Sequence, residues 1–331
     1  MKILIIGGSG TISTYVVRKC VEMKMDVTIL NRGIHHVDLP KSVKIIIGDI
    51  KDKQAMMTLM KDNFYDSVIE FVAFTKEDVQ RDIEVFKGKT RQYIFISSAS
   101  AYHKPVEDYP MTEETPLKNP YWSYSQDKIE CEEYLKTVID MNITIVRPSH
   151  TYDNKMIMAV MTRWGYEYAH IQRLKDGLPI IIPGDGTSVW TITHAKDFAN
   201  SFVYLIGNEA AYNDVFHITG EKLYTWDQLT QMMAQALGVK AHIIHIPTDF
   251  IIQMMPEMEG PLFGDKSWSV IFDNSKIKKI SQEYTSNIGY EDVVMDVIKY
   301  YESQPEKQKI SEEYEELYDL TIELYQKNLR S

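Results

Sequence analysis

The sequence contains few cysteines for its length. Only two, Cys20 and Cys131, occur in 331 residues, and neither belongs to a spacing that could bind zinc. Both fall in stretches with a helical pattern, where a lone cysteine is most often a buried, reduced thiol. We therefore expect neither a disulfide framework nor a metal site.

Long apolar runs are also missing. The longest apolar segments are far shorter than the roughly 20 residues that a membrane-spanning helix needs. The N-terminus leads directly into a predicted strand, without the basic start, apolar core and cleavage site of a signal peptide. We therefore expect a cytoplasmic protein with no membrane partner.

Positive charge is in short supply as well. Lysine and arginine number 36 against 47 acidic residues, so the formal net charge is −11. Such a chain repels the phosphates of nucleic acids and of anionic membranes, although a small basic pocket can still exist. The composition, 44% hydrophobic and 25% charged, is typical of a folded globular protein. We expect a small-molecule substrate and no nucleic acid.

The first half alternates short β-branched runs with helical patterns. Continuous apolar strands separated by helices are typical of a parallel sheet covered on both faces. The sequence therefore predicts an α/β fold with a doubly wound, Rossmann-type sheet, whose ligand binds at the carboxyl ends of the strands. The predicted strands are residues 2–6, 26–30, 43–47, 67–72, 92–96 and 142–146.

The pattern changes after Arg147. We expect a dinucleotide-binding domain over residues 1–150 and a smaller, mixed substrate domain over 151–331, with parts of 184–220 returning to the first. The last amphipathic helix could pack on the body or on a second subunit, which leaves a homodimer open. The predicted elements of this half are helices over 156–175, 225–237, 290–303 and 310–329 and strands over 179–183 and 242–246.

The first turn of the chain is rich in glycine, from Gly7 to Gly10, between the first strand and the first helix. Gly7 permits a tight turn, and Gly10 lets a pyrophosphate approach the backbone. The N–H groups at the start of the helix, at Thr11 and Ile12, then face the anion, which the helix dipole also favours. Ser13 stands where a third glycine is usual, and it is small enough for close packing. This context predicts a dinucleotide cofactor; a plain strand-to-helix turn is the alternative.

The end of the second strand bears on the type of cofactor. An acidic residue there would bind a ribose 2′-OH and favour NAD, but the sequence has Asn31 and Arg32. Because Arg32 could pair with a 2′-phosphate, NADP is favoured and NAD is the alternative, with Arg32 as a solvated loop residue. Asp49 and Ile50, after the third strand, are placed to meet the adenine.

A tyrosine and a lysine four residues apart, Tyr124 and Lys128, follow the fifth strand. On a helix they share one face, and we expect the ammonium to lower the tyrosine pKa from about 10 so that the phenol can exchange a proton near neutrality. The fifth strand ends in serines that can bind a substrate oxygen. Ser98 is our choice, with Ser97 and Ser100 as competitors.

Together, these features resemble the extended short-chain dehydrogenase/reductase family, the NAD-dependent epimerases and dehydratases that include UDP-galactose 4-epimerase. The resemblance covers roughly residues 1–300. It rests on the glycine turn, Gly48-Asp49-Ile50, Ser97-Ser98, Tyr124 with Lys128, Arg147-Pro148, Pro183-Gly184-Asp185-Gly186 and His194-Ala195-Lys196-Asp197.

The resemblance implies an enzyme that reduces, oxidises or epimerises a secondary alcohol or ketone carbon of a sugar-like molecule by hydride transfer. It implies a catalytic triad of Ser98, Tyr124 and Lys128, with Tyr124 as acid and base. Residues implied to line the cofactor cleft are Phe71, Val72, Ala73, Pro148 and His150.

Departures from the family pattern narrow the reaction. The Asp-Glu pair that serves water elimination in the sugar 4,6-dehydratases is replaced by Ala99-Ser100, which disfavours that activity. Two arginines that bind the diphosphate of a nucleotide sugar are missing, from Val189-Trp190-Thr191 and from the residues before Gly264-Asp265. A standard UDP- or dTDP-sugar substrate is thus disfavoured, unless Lys266 or Arg163 substitutes.

The alternative is a non-catalytic, nucleotide-sensing or RNA-binding member of the same fold. The segments Asn31-Arg32-Gly33 and Asp273-Asn274-Ser275-Lys276 resemble such a subset. The intact Tyr124 and Lys128 pair and the acidic charge favour the enzyme. His35 and His36 lack further ligands at a metal-binding spacing and are predicted to be solvated loop residues.

Overall fold

A computed structural model describes residues 1–34 and 37–329. The loop histidines His35 and His36 lie outside the described residues, so the prediction for them stays untested.

The described chain contains one large sheet and two small ones. The strands are β1 (Lys2–Ile6), β2 (Asp26–Asn31), β3 (Lys44–Ile47), β4 (Tyr65–Glu70), β5 (Thr90–Ile96), β6 (Asn142–Pro148), β7 (His150–Tyr152), β8 (Pro179–Pro183), β9 (Val189–His194), β10 (Asp214–Ile218), β11 (Leu223–Thr225) and β12 (His242–Ile246).

The large sheet has seven strands within the described ranges, in the order β10-β6-β5-β4-β1-β2-β3. Each neighbouring pair is parallel; Ile3 of β1, for example, is paired with Val27 of β2 and with Ser67 of β4. Successive connections leave β1 in opposite directions, so a crevice opens between the carboxyl ends of β1 and β4. The predicted doubly wound sheet is confirmed, and its topology places the ligand site at this crevice.

Helices cover both faces of the sheet. They are α1 (Thr11–Glu22), α2 (Lys53–Met60), α3 (Lys76–Phe86), α4 (Ser123–Leu135), α5 (Tyr168–Lys175), α6 (Ala195–Phe202), α7 (Trp226–Leu237), α8 (Thr248–Met254), α9 (Glu259–Pro261), α10 (Ser275–Ile280), α11 (Tyr290–Glu302) and α12 (Glu312–Asn328).

Strand β1 shows why its sequence is apolar from Ile3 to Ile6. Ile3 and Ile5 pack with α1 and α6 on one face, and Leu4 and Ile6 pack with α2, α3 and α4 on the other. Successive side chains of a strand point to opposite faces, so a strand buried on both sides needs no polar position. Each of these side chains contributes about 2 kcal/mol by leaving water. The two cysteines are free and buried, as expected.

The second half builds its own core around two small sheets, β11-β9-β7 and β12-β8. The strand β10, from the segment 184–220, lies in the large sheet beside β6. Helix α12 packs on the body, where the hydroxyl of Tyr318 accepts a hydrogen bond from the backbone N–H of Ile181. Arg173 pairs with Glu315 and Asp319 of the same helix. The predicted smaller, mixed C-terminal region is confirmed.

The predicted bounds of one helix and one strand were wrong. The helix predicted over 156–175 begins only at Tyr168, because residues 157–161 are buried one after another instead of along one face, and Gly165 has a φ of +84°. The strand predicted over 67–72 ends at Glu70, whose own side chain binds the next backbone N–H groups. Among the described residues, none of the helices combines the length and the apolar composition that crossing a bilayer requires.

Candidate active site

The glycine turn bends the chain sharply between β1 and α1. Gly7 and Gly8 have φ values of +103° and +82°, which L side chains rarely adopt. The N–H of Gly7 donates to the carbonyl of Leu30 at 2.8 Å, and a Cβ on Gly8 would lie 2.9 Å from Cγ2 of Ile29. The turn is thus held against β2 so closely that glycine is required at position 8.

Gly10 is a different case. Its φ is −88°, and a Cβ there would meet only the Oγ of Ser13, at an ordinary 3.5 Å. The fold therefore does not require glycine at this position, although the close approach of a ligand would. No acidic residue lies in the first turn of α1, so the N–H groups from Thr11 onward present a positive dipole end to the crevice.

The adenine side of the predicted site lies at the ends of β2 and β3. The side chain of Asn31 accepts a hydrogen bond from the N–H of Gly33, which shapes the turn, and Arg32 is exposed beside it. Asp49 is exposed and accepts from the N–H of Lys51, while Ile50 is buried in the core. These residues lie at the carboxyl ends of their strands, where the sequence placed them.

A cavity of 290 Å³ opens at the carboxyl ends of β5 and β6. Five of the predicted site residues line it: Ile12, Ser98, Tyr124, Pro148 and His150. Ser97 and Ser100, the competitors of Ser98, also line it. The motifs did not assign the rest of its wall to the site, which comprises Ala99, Trp122, Ser149, Thr151, Trp190, Asp265, Val270 and Phe272.

The three candidate serines differ in what they contact. Ser97 is buried and donates to Glu132 at 2.6 Å, which leaves its hydroxyl inside the protein. Ser98 is partly exposed in the cavity, with its Oγ 2.9 Å from that of Ser100. Ser100 also accepts from the hydroxyl of Ser125 at 2.8 Å. Of the three, Ser98 has the hydroxyl that is most available to a ligand.

Tyr124 lies in the first turn of α4, and its environment holds the proton on the phenol. Burial raises the pKa of Tyr124, the charge of Asp265 raises it further, and a hydrogen bond from Ser98 opposes the increase. The expectation that Lys128 lowers this pKa is therefore wrong. Its Nζ lies 6.0 Å from the centre of the tyrosine ring and is hydrogen-bonded elsewhere.

Lys128 is almost completely buried, with 2% of its surface exposed. Its ammonium donates to the carbonyl of Ala73 at 2.8 Å and to that of Ile96 at 2.9 Å. Burial lowers the pKa of Lys128 to about 8. The side chain thus bridges the ends of β4 and β5, between the glycine turn and the cavity.

The predicted cleft residues after β4 lie close to both regions. A Cβ on Gly7 would be 3.1 Å from Cγ1 of Val72 and 3.5 Å from Cβ of Phe71. Ala73 accepts the hydrogen bond from Lys128. The glycine turn, this segment and the cavity therefore form a continuous band along the switch point of the sheet.

Several cavity residues come from distant parts of the chain. Burial lowers the pKa of His150 to about 3, so the ring is neutral, and it lies 4.8 Å from that of Trp190. Asp265 belongs to a π-helical turn, Leu262–Lys266, and burial raises its pKa to about 6. No local pattern marks Trp190 or Phe272 as cavity residues. The sequence drew attention to Gly264-Asp265 only because an arginine is missing before it, and not because Asp265 was expected in the cavity.

A larger groove, of 760 Å³, lies elsewhere. Its wall includes Met1, Thr90 and Asn142, which stand at the amino ends of β1, β5 and β6. Ligands of doubly wound sheets bind at the opposite, carboxyl ends, so we assign the site to the smaller cavity.

Comparison with known proteins identifies the family. The model of the NAD dependent epimerase/dehydratase family matches residues 3–218. The chain is 30% identical to the chloroplast stem-loop binding protein of 41 kDa b of Arabidopsis thaliana over 264 residues, 75% of this chain and 67% of that protein. It is 23% identical to 2′-dehydrokanamycin reductase of Streptomyces kanamyceticus over 293 residues, 87% of this chain and 81% of the reductase.

The fold is shared with a solved UDP-glucose 4-epimerase from Bifidobacterium longum, in complex with NAD⁺ and UDP. The TM-score is 0.70 at 20% identity, covering 93% of this chain and 100% of the epimerase. The family resemblance inferred from the motifs is confirmed. This chain belongs to the NAD-dependent epimerase/dehydratase family.

Proposed function

We propose that this protein is an NAD(P)-dependent oxidoreductase or epimerase that acts on a secondary alcohol or ketone carbon of a sugar-like small molecule. The observation that carries the proposal is the joint placement of Ser98 and Tyr124 in one cavity. Lys128 does not line this cavity, but its ammonium binds the carbonyl of Ala73, whose neighbour Val72 lies beside Gly7. A reductase and an epimerase among the known proteins with this fold or sequence support the same chemistry.

The residues present fit a dinucleotide. Gly10 leaves space that the protein itself does not use, and the start of α1 favours an anion. Bound NAD(P) would supply the hydride donor or acceptor. The residues proposed to hold it are Gly7, Gly10, Thr11, Ile12, Asn31, Arg32, Asp49, Ile50, Phe71, Val72, Ala73, Tyr124, Lys128, Pro148 and His150.

The chain's own groups define the proton chemistry. Because the pKa of Tyr124 is raised, its phenol carries a proton at neutral pH and can donate it to a ketone oxygen. The hydroxyl of Ser98 can hydrogen-bond the same oxygen and keep it near the phenol. This arrangement suits the reduction of a carbonyl group directly.

The cavity wall suits a ring that carries hydroxyl groups. Trp122, Trp190 and Phe272 offer apolar faces, and Asp265 and Thr151 offer hydrogen-bonding groups. We propose that this activity is not 4,6-dehydration. Ala99 is buried, and Ser100 is hydrogen-bonded to Ser98 and Ser125, so neither supplies the acid–base pair of that reaction.

NADP is the proposed preference. Arg32 is exposed directly after β2, where a guanidinium can pair with a 2′-phosphate. Titration of the purified protein with NADH and NADPH tests this, since Arg32→Ala should weaken binding of NADPH and leave that of NADH unchanged. Equal loss for both cofactors, or no loss for either, would contradict a 2′-phosphate contact.

Tyr124→Phe tests the catalytic role. Oxidation of NADPH is followed over a panel of keto sugars, and the best substrate is then used for the variant. We expect turnover to fall by about 10²- to 10⁴-fold while cofactor affinity changes little, because only the acidic proton is lost. Tyr134→Phe, on the same helix and outside the cavity, is the matched control. Unchanged turnover in Tyr124→Phe would remove the basis of the proposal.

A non-catalytic, RNA-binding or nucleotide-sensing role is the second candidate, favoured by the 30% identity to a stem-loop binding protein. The net charge of −11 opposes it. Titration with a stem-loop RNA and with both cofactors separates the two. RNA binding without cofactor binding supports the second candidate, and cofactor binding without RNA binding supports the enzyme.

A further inference from the structure

Glu70 is a buried carboxyl group at the centre of the sheet. It is the last residue of β4, its exposure is 0%, and β4 borders the switch point where the cofactor would bind. Burying an acidic group without compensation costs several kcal/mol, so its position calls for specific partners. The proposed reaction does not use it.

One carboxylate oxygen of Glu70 holds the segment that follows the strand. Its Oε1 accepts a hydrogen bond from the N–H of Ala73 at 2.8 Å and a second, shorter one from the N–H of Val72. These two bonds end the strand and turn the chain across the crevice. The turn carries the residues that lie beside Gly7.

The other oxygen of Glu70, Oε2, is buried, and no nitrogen or hydroxyl group among the described residues donates to it. Burial and then the charge of Asp82, on α3, raise the pKa of Glu70 well above its usual range. Asp82 is itself buried, and it accepts hydrogen bonds from Tyr93 at 2.9 Å and from Arg81 at 2.8 Å. A proton on Oε2 would leave both hydrogen bonds to Oε1 intact.

The same turn holds Lys128. The N–H of Ala73 is bound by Glu70, and the carbonyl of Ala73 accepts from the ammonium of Lys128 at 2.8 Å. Removing Glu70 would leave the N–H groups of Val72 and Ala73 without this acceptor and free the carbonyl of Ala73 to rotate. The ammonium would then keep one of its two observed anchors, the carbonyl of Ile96.

We infer that Glu70 is a positioning residue, which fixes the turn from Phe71 to Ala73 and, through Ala73, the ammonium of Lys128. The inference rests on the proposed function, because it assigns Lys128 to the active site. A glutamine can make the same contacts with the turn, because its carbonyl oxygen accepts hydrogen bonds as the carboxyl oxygen does. An apolar side chain cannot.

The experiment compares Glu70→Gln with Glu70→Val in the full-length protein. Dissociation constants for NADH and NADPH and the pH profile of kcat are measured for each. We expect Glu70→Gln to remain within about twofold of the wild type, and Glu70→Val to lose about tenfold or more in cofactor affinity and in kcat, with a displaced pH profile, because small misplacements at a site are costly. The matched control is Ser67→Val, on the same strand as Glu70. It removes a buried hydroxyl that donates to Gln92 of β5. The control should lose stability without losing cofactor affinity.

Wild-type affinity and pH profile in Glu70→Val would overturn the inference. So would a loss in Glu70→Gln as large as in Glu70→Val, because an acceptor oxygen at this position would then not be what fixes the turn. If Glu70→Val does not fold, Glu70→Asn replaces it, since its amide is one methylene too short to reach the turn. Cofactor affinity can be measured without turnover, so it tests Glu70 independently of Tyr124→Phe. If the protein turns over no substrate but the Glu70 variants change cofactor affinity as expected, only the proposed reaction is refuted.

Discussion

Replacing Lys128 with methionine should change how the stability of the protein depends on pH. The side chain is 2% exposed, and burial lowers its pKa to about 8, against about 10.5 for an unfolded lysine. Between these values the unfolded chain binds a proton that the folded chain does not. The penalty for burying the ammonium is therefore fully present below pH 8 and disappears above pH 10.5.

The size of the effect follows from the two pKa values. At roughly 1.4 kcal/mol per pH unit, the penalty is about 3 kcal/mol at pH 7 and falls below about 1 kcal/mol at pH 10. Methionine removes the penalty, but it also leaves the carbonyls of Ala73 and Ile96 without their donor, at a cost of about 2 kcal/mol. Lys128→Met should thus be about as stable as the wild type or up to ~1 kcal/mol more stable at pH 7, and clearly less stable at pH 10.

Urea unfolding of both proteins at pH 7, 8, 9 and 10 measures this difference. Other titrating groups are common to both chains, so they cancel when the two free energies of unfolding are subtracted. Lys136→Met, an exposed lysine directly after the same helix, is the control for replacing a lysine with methionine. A flat difference for Lys128→Met between pH 7 and 10 would refute the depressed pKa. Loss of turnover in a stable variant would show that a buried ammonium is kept for function.

Two further predictions concern the glycine turn and the buried ion pair. Gly8→Ala should lose about 1–3 kcal/mol of stability, because φ is +82° and the new Cβ would lie 2.9 Å from Ile29. Gly10→Ala should fold normally and lose cofactor affinity. Thermal unfolding and cofactor titration of both variants distinguish these outcomes, and normal cofactor binding by Gly10→Ala would contradict a cofactor contact at the glycine turn. Arg147→Ala should cost about 3–5 kcal/mol in the free energy of unfolding, because it removes the guanidinium that lies 2.6 Å from the fully buried Glu132 carboxylate. The double variant Arg147→Met with Glu132→Gln should recover most of that loss. An Arg147→Ala protein of normal stability would contradict the argument.

The sheet was predictable because its information is local. A strand buried on both faces must be apolar at every buried position, and residues 3–6 already show this in the sequence. The start of α7 was equally readable, since Thr225 caps the helix by accepting from the N–H of Gln228. Both features depend on neighbours within a few residues.

Elements whose ends depend on distant contacts were not predictable in this way. The run from Ser67 to Val72 looks like one strand, but Glu70 ends it by binding the following N–H groups. The apolar residues 157–161 fit a helical pattern and are instead buried consecutively in an irregular segment. In both cases tertiary contacts override the local pattern.

The active site shows the same division. The spacing of Tyr124 and Lys128 correctly indicated a helix with both residues beside the crevice. It could not show where the ammonium points, because its acceptors, Ala73 and Ile96, lie 55 and 32 residues away. Asp265, which raises the pKa of Tyr124, comes from the second half of the chain.

These contacts bear on the proton chemistry. Burial and, to a smaller extent, the charge of Asp265 raise the pKa of Tyr124, so proton transfer in either direction must overcome a disfavoured phenolate. Oxidation of an alcohol needs the phenolate, and a cation near the phenol must then offset burial. Within the described residues the ammonium of Lys128 donates two of its three N–H bonds to carbonyl groups, which leaves the third for another acceptor. A reductase forms the phenolate when the phenol donates its proton, and an epimerase passes through the phenolate in each cycle, so both depend on a cation that stabilises it. The raised pKa of Tyr124 therefore does not favour one direction of the reaction over the other.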